Sequence, residues 1–337
     1  MSKTETAREG DGSLSSPVWW ANCYKVGQFI FALVDQGLWQ RLGSEPISPK
    51  DLAEGAALDP KRLASALDLL HRFGLIQRHG GLYSLPSASL ATEPLLKLEA
   101  SLQRELISSD RVAAWLAGVP TCDPLDQQPS RATVDLFLNG FEVFGKNVAL
   151  HIWRLAKMAD RRKLLDLGGA AGRHAAEFSR LSRGMAFTIV DREIMRRPFE
   201  RRRSELGLAE RMSFVAGDLR KPQTFAHLIA DHDAILISNV LHLLPPGVRD
   251  DTCRAILHRM RPGTRLVVHD LFMGTDDWQI AGFMTVDWML LGADFSMTVD
   301  DCAEWLKALG FQILAARGLP GLPSGLVVAE TPREKVL

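Results

Sequence analysis

The residues best suited to chemistry each stand at the end of an apolar run. LLDLGGAAGRH (164–174) sets Gly168, Gly169 and Gly172 directly after a leucine-rich stretch. Asp191 closes AFTIVD (186–191), 19 residues after Gly172, and Asp218 closes MSFVAGD (212–218). His242 follows DAILISN (233–239). Glycines between a strand and a helix let the backbone turn sharply and let a ligand come close. An acid ending the next strand falls beside that turn, where it can accept hydrogen bonds from ribose hydroxyls. Turn and acid together point to a nucleotide-like cofactor. A histidine on the same rim is suited to move a proton near neutral pH.

The cofactor class follows by elimination. No Gly-Lys-Ser/Thr follows the turn, so a triphosphate loop is excluded. The dinucleotide fingerprint needs a further glycine, and Arg173 follows Gly172 instead. A ribose and purine without a pyrophosphate suit this shorter turn, and S-adenosylmethionine is such a cofactor. Its chemistry is methyl transfer, in which the protein must hold the acceptor atom in line with the departing sulfur. A phenolic acceptor, with a pKa of about 10, is little ionised at neutral pH. A base then helps, and His242 is the candidate. A hydroxyl conjugated to a carbonyl ionises more easily, and for such an acceptor positioning alone would suffice.

These residues need a scaffold that gathers strand ends. From Lys163 onward five strand-like runs alternate with helical segments: KLLDLG, AFTIVD, MSFVAGD, DAILISN and RLVVHD. That rhythm predicts a doubly wound, mostly parallel sheet. FQILAAR (311–317) and GLVVAE (325–330), joined by a Gly/Pro-rich link, bring the expected strands to seven and are expected to pair antiparallel. Residues 1–16 read as a mobile tail. Residues 17–105 read as a helical domain. VGQFIFALVDQGLWQRL (26–42) carries a helical apolar stripe, and Ser48-Pro49 and Asp59-Pro60 open two further helices. IQRHGGLYSL (76–85) reads as a hairpin, which completes the order of a winged helix. Residues 106–155 are expected to be connecting helices, and 156–337 the α/β domain.

The chain resembles the two-domain S-adenosylmethionine-dependent O-methyltransferases, a group of caffeate-type plant and bacterial secondary-metabolite enzymes. The resemblance rests on LDLGGAAG (165–172), the VD at 190–191, AGDL (216–219), SNVLH (238–242), RPGTRLVVHD (261–270) and VDWML (286–290). It covers roughly residues 18–330. It implies a Rossmann-like class I methyltransferase domain with an N-terminal winged-helix dimerisation domain. By this resemblance Gly168, Gly169, Gly172, Asp191, Arg192, Asp218, Leu219 and Ser238 are expected to bind the cofactor, and His242 to be the base. It also implies acids that steady the histidine, here Asp270 and Asp294. Leu-His-Asp-Trp is the common form of the histidine motif; this chain has Leu243 and Leu244 after His242. His269 points away from Asp270 in a regular strand and is expected to be structural. The acceptor is expected between IAGFMTVDWMLLGADF (280–295), through Phe283, Met284, Asp287 and Trp288, and FLNGFEVFG (137–145), through Phe141 and Phe144.

Composition narrows the partners. Of 337 residues, 46% are apolar, and 40 basic residues balance 40 acidic ones. Zero net charge argues against a dedicated nucleic-acid binder. The six arginines of REIMRRPFERRR (192–203) then read as a solvated helix face. The scattered Cys23, Cys122, Cys253 and Cys302 match no metal spacing, so no metal is expected. No apolar run reaches the roughly 18 residues of a membrane span, and the polar start lacks a signal-peptide core, so a cytoplasmic protein is expected. The expected function is O-methylation of a small flat aromatic or heteroaromatic metabolite of antibiotic or pigment type, by a homodimer. A C- or N-methyltransferase, a dinucleotide oxidoreductase and a winged-helix DNA-binding regulator are the alternatives.

Overall fold

A computed structural model describes residues 17–89, 91–119, 129–142, 145–275, 278–291 and 297–332. The chain divides into two compact units between Ser101 and Leu102.

The first unit opens with α1 (Pro17–Asp35) and α2 (Leu38–Leu42). The sequence reads residues 26–42 as one helical stripe, but Gly37 adopts φ +68° and breaks it. A left-handed residue cannot continue a right-handed helix, and glycine takes that conformation without strain. In α3 (Pro49–Ala53) the Ser48 hydroxyl accepts the Asp51 N–H, and in α4 (Pro60–Arg72) the Asp59 carboxylate accepts the Lys61 and Arg62 N–H groups. Strands β1 (Gln77–His79) and β2 (Leu82–Ser84) form the expected hairpin, and α5 (Glu93–Leu106) follows. Leu63, Leu67 and Leu70 bury one face of α4 against Leu38, Trp39, Leu42 and Leu52. Each fully buried leucine contributes about 2 kcal/mol.

The second unit starts with α6 (Ser109–Leu116), α7 (Arg131–Glu142) and α8 (Gly145–Leu155). An alternating series follows: β3 (Lys163–Leu167), α9 (Arg173–Leu181), β4 (Ala186–Asp191), α10 (Arg196–Glu205), β5 (Met212–Ala216), α11 (Ala226–Ile229), β6 (Ala234–Ser238), α12 (Pro246–Arg259) and β7 (Arg265–Leu271). Then come α13 (Trp278–Leu290), α14 (Val299–Ala308), β8 (Gln312–Gly318) and β9 (Ser324–Glu330). The seven strands lie in the order β5-β4-β3-β6-β7-β9-β8. All pairs are parallel except β7–β9 and β9–β8, so β9 enters between β7 and the edge strand β8.

Strand alternation sorts the core into two layers. Leu165, Leu167, Ile235, Ile237, Leu266 and Val268 face one side with Ile256 of α12 and Leu306 of α14. Leu164, Phe187, Ile189, Leu236 and Val267 face the other with Ile152 of α8, Phe178 of α9 and Phe199 of α10. The chain moves outward from β3 to β5, then returns to β6 on the other side of β3. This reversal opens a crevice beyond the carboxyl ends of β3 and β6, where ligands of such sheets bind. Among the described residues no helix is long and apolar enough to cross a membrane.

Candidate active site

A cavity of about 390 Å³ occupies that crevice. The glycine turn after β3 forms part of its wall, and the protein's own packing dictates the glycines. Gly168 has φ +77°, and a Cβ there would lie 2.5 Å from Val240 Cγ2. A Cβ on Gly169 would lie 2.5 Å from the carboxyl carbon of Asp166. Ala170 is also left-handed, at φ +48°, a strained conformation for a residue with a Cβ.

Asp191 fastens this turn. Its Oδ2 accepts the Ala170 N–H at 2.7 Å and its Oδ1 the Arg192 N–H at 2.7 Å. Burial raises its pKa and the two amide bonds oppose the rise. Each carboxylate oxygen keeps a further lone pair for a ligand hydroxyl. Asp218 is gripped by Arg220, whose Nη2 lies 2.8 Å from Oδ2. Burial works to raise Asp218, but the hydrogen bonds and charge of Arg220 hold it below the usual carboxylate range.

Sequence reasoning missed Asp166 and Asn239. Asp166 sits on β3 in the layer of Leu164, and both its oxygens are buried without a hydrogen-bond partner. Burial, reinforced by the charge of Asp191 and opposed by that of Arg173, raises its carboxyl to about 7. Asn239, directly after β6, is left-handed at φ +54° with an unpartnered, buried Oδ1. Both line the cavity. The signals were a lone acid inside an apolar strand and a lone amide at a strand end. Buried acceptors without donors are costly unless a ligand supplies them. A cationic amino-acid head is such a ligand, and the Asp191 carboxylate lines the same cavity. The residues present therefore fit S-adenosylmethionine.

On the β6–β7 side, His242 lies in a short helical turn (Leu241–Leu243) and is buried. Its Nδ1 meets Asp270 Oδ1 at 2.8 Å, and that oxygen also accepts the Leu271 N–H at 2.9 Å. Trp288 of α13 stacks on the imidazole, with ring centroids 3.7 Å apart and planes 8° from parallel. Ser238 faces the other layer, where its hydroxyl joins His174 Nε2 at 2.9 Å and His269 Nδ1 at 2.8 Å. Burial lowers both histidines, His269 to about 4, so the chain His174–Ser238–His269 is neutral near pH 7.

Of the residues singled out in the sequence, Gly168, Gly169, Asp191, Arg192, Asp218, Leu219, Ser238, His242 and Trp288 line this one cavity. Gly172 caps α9 with φ +74°, and Asp270 stands behind His242. Met284 packs in the core, Phe283 is 56% exposed, and Asp287 is buried with a carboxyl raised to about 6 by desolvation. Asp294 and Phe144 lie outside the described residues, as does the side chain of Phe141. Phe137 and Leu138 of α7 line the cavity on that side. Among the described residues no group of three or more His, Cys, Asp or Glu is arranged to hold a metal ion.

Known proteins share this architecture. The tetracenomycin polyketide synthesis 8-O-methyl transferase TcmO of Streptomyces glaucescens is 23% identical over 326 residues, covering 90% of this chain and 93% of its own. The structure of human N-acetylserotonin methyltransferase, solved in complex with S-adenosylmethionine, superposes with a TM-score of 0.70. It is 19% identical and covers 97% of this chain and all of its own. An O-methyltransferase family protein of Burkholderia thailandensis superposes with a TM-score of 0.73 at 15% identity, over 96% and 99% of the two chains. Residues 128–291 match the O-methyltransferase domain. That segment is just under half of the chain, and over it the chain is similar to the O-methyltransferase family.

Proposed function

We propose that this enzyme uses S-adenosylmethionine to methylate a hydroxyl of a small flat aromatic or heteroaromatic metabolite, with His242 as general base. The observation that carries the reading is the His242–Asp270 pair, 2.8 Å apart, at the wall of the cavity that the glycine turn and Asp191 also line. The relatives support the class: TcmO acts in polyketide synthesis, and the human neighbour was solved with this cofactor.

S-adenosylmethionine, when bound, supplies a methyl group on a positively charged sulfur. Asp191 would hold the ribose hydroxyls, with Asp218 and Leu219 beside the adenosine. Asp166 and Asn239 Oδ1 would accept from the ammonium group. Asp270 accepts the His242 Nδ1–H, which makes Nε2 the basic atom of the ring. Nε2 takes the hydroxyl proton of the acceptor, and Asp270 stabilises the imidazolium that results. Leu243, Leu271, Trp288 and Leu291 give the acceptor an apolar wall. Exposed apolar side chains on α1 support a homodimer built on the first unit.

The test is incubation of a mixed aromatic library with methyl-labelled S-adenosylmethionine, read by mass spectrometry. A labelled methyl on oxygen is the expected product. A methyl on carbon or nitrogen would move the chain to another acceptor class. His242→Ala is expected to lower kcat on a phenolic acceptor by ~10²-fold, the usual scale for losing a general base. Unchanged turnover would remove the base and leave positioning as the mechanism.

A further inference from the structure

Two ionisable side chains flank the glycine turn. Asp166 precedes it on β3, and Arg173 follows Gly172 as the first residue of α9. Both line the cavity, Asp166 buried with its oxygens unbonded and Arg173 half-buried. A cation is poorly placed there on local grounds. The first turn of a helix presents the positive end of the helix dipole and attracts anions. Burial adds to that cost and lowers the pKa of Arg173. Three carboxylates act on it: Glu142, Asp166 and Glu177. Glu142 is held by Arg202 at 2.9 Å, Glu177 is paired with Arg180, and burial raises Asp166 to about 7. Glu142 and Arg202 line the same cavity. Across this cluster the cations outweigh the ionised acids near pH 7, so the wall has room for one more negative charge.

We propose that Arg173 reads the carboxylate of the S-adenosylmethionine head group, beside the ammonium taken by Asp166, so that this end of the cavity selects a zwitterion. This rests on the cofactor reading above and deepens it. The two charges of an amino acid hang on one carbon, so reading both needs an acid and a cation close together. Arg173 and Asp166 each feel the other's charge across the turn. Arg173 also engages the protein itself, and the five N–H donors of a guanidinium allow both. Its planar fork is shaped for a carboxylate. The head group brings one charge of each sign. Its ammonium favours the ionised form of Asp166, and its carboxylate answers the charge of Arg173. A ligand with the ammonium alone would leave the surplus positive charge where it is and add to it.

The experiment measures the calorimetric affinity of wild type, Arg173→Met and Arg173→Lys for two ligands. One is S-adenosylhomocysteine; the other is its decarboxylated form, which keeps the adenosine, the sulfur and the ammonium. Wild type is expected to bind the complete ligand about 10-fold or more tightly, the scale of a charge-assisted pair. Arg173→Met is expected to lose that preference by weakening S-adenosylhomocysteine alone, and Arg173→Lys to keep part of it. Circular dichroism checks that each variant is folded. Should Arg173→Met fail to fold, Arg173→Gln keeps a polar side chain without the charge and answers the same question. Wild-type binding of both ligands alike overturns the inference without any variant. An Arg173→Met that weakens both ligands equally also overturns it, because Arg173 would then act only on the shape of the turn. So does an Arg173→Met that retains the preference. A wild type that binds neither ligand overturns the S-adenosylmethionine reading itself, and this inference with it.

Discussion

Asp166 is a carboxyl group with nothing to bond to in a cavity that fits a cation. Its pKa sits at about 7 because burial penalises the charge, with Asp191 adding repulsion and Arg173 opposing both. An ammonium group beside it would favour the ionised form, so the pKa falls on binding. Below about 7 the carboxyl must first lose a proton, and affinity for S-adenosylhomocysteine is expected to rise with pH up to that point and level off above it. Calorimetry from pH 5.5 to 8 reads this directly, with proton release visible in buffers of different ionisation enthalpy. Asp166→Asn should flatten the profile, and an unchanged profile in that variant would exclude Asp166 as the cause. In the ligand-free chain the sign for stability is reversed. A raised carboxyl stabilises the fold fully below its unfolded value near 3.8, and that contribution is lost as pH climbs to about 7. The sequence offered only the signal of one acid among leucines, and its raised pKa was not legible there. Its orphaned state depends on what β4 and β6 bring to either side.

The glycine turn shows the same division between sequence and structure at the scale of an element. The strand–turn–helix was legible because an apolar run, glycines and an acid at the right distance are local signals. The reason for Gly168 is tertiary: Val240, from the segment after β6, fills the space where a Cβ would stand. Gly168→Ala therefore meets both a left-handed backbone and a stiff β-branched neighbour, and is expected to cost about 2 kcal/mol or more. Thermal melts of Gly168→Ala, Val240→Ala and the double variant form a cycle. The double variant should regain part of the loss, since only the clash is relieved. Strict additivity would leave backbone strain as the whole cause. The seven strands were likewise readable one by one, and the antiparallel pairing of the last two with them. The insertion of β9 between β7 and β8 was not, because strand order is decided by which edge remains open after β7 is placed. The break at Gly37 was hidden by an apolar stripe that runs through it.

At the scale of the whole molecule the open question is what covers α1. Val18, Trp19, Trp20, Tyr24 and Phe29 are between 38% and 70% exposed on one 19-residue helix. Aromatic groups gathered in this way are characteristic of the centre of an interface and not of its rim. In a two-fold dimer the same patch meets its own copy, so one substitution acts twice. Trp20→Glu is expected to shift sedimentation from dimer to monomer while leaving the helical circular dichroism intact. A control substitution at Arg62, exposed on α4, should leave the dimer unchanged. A wild-type chain that sediments as a monomer at micromolar concentration would refute the dimer outright. The zero net charge bears on the same question from the other side: with 40 basic and 40 acidic residues, long-range repulsion between two copies is small. Association would then be governed by apolar area, and raising the salt concentration from 0.05 to about 0.5 M should leave the dimer constant nearly unmoved. A steep loss of dimer with salt would instead assign the interface to charged residues and clear α1 of the role.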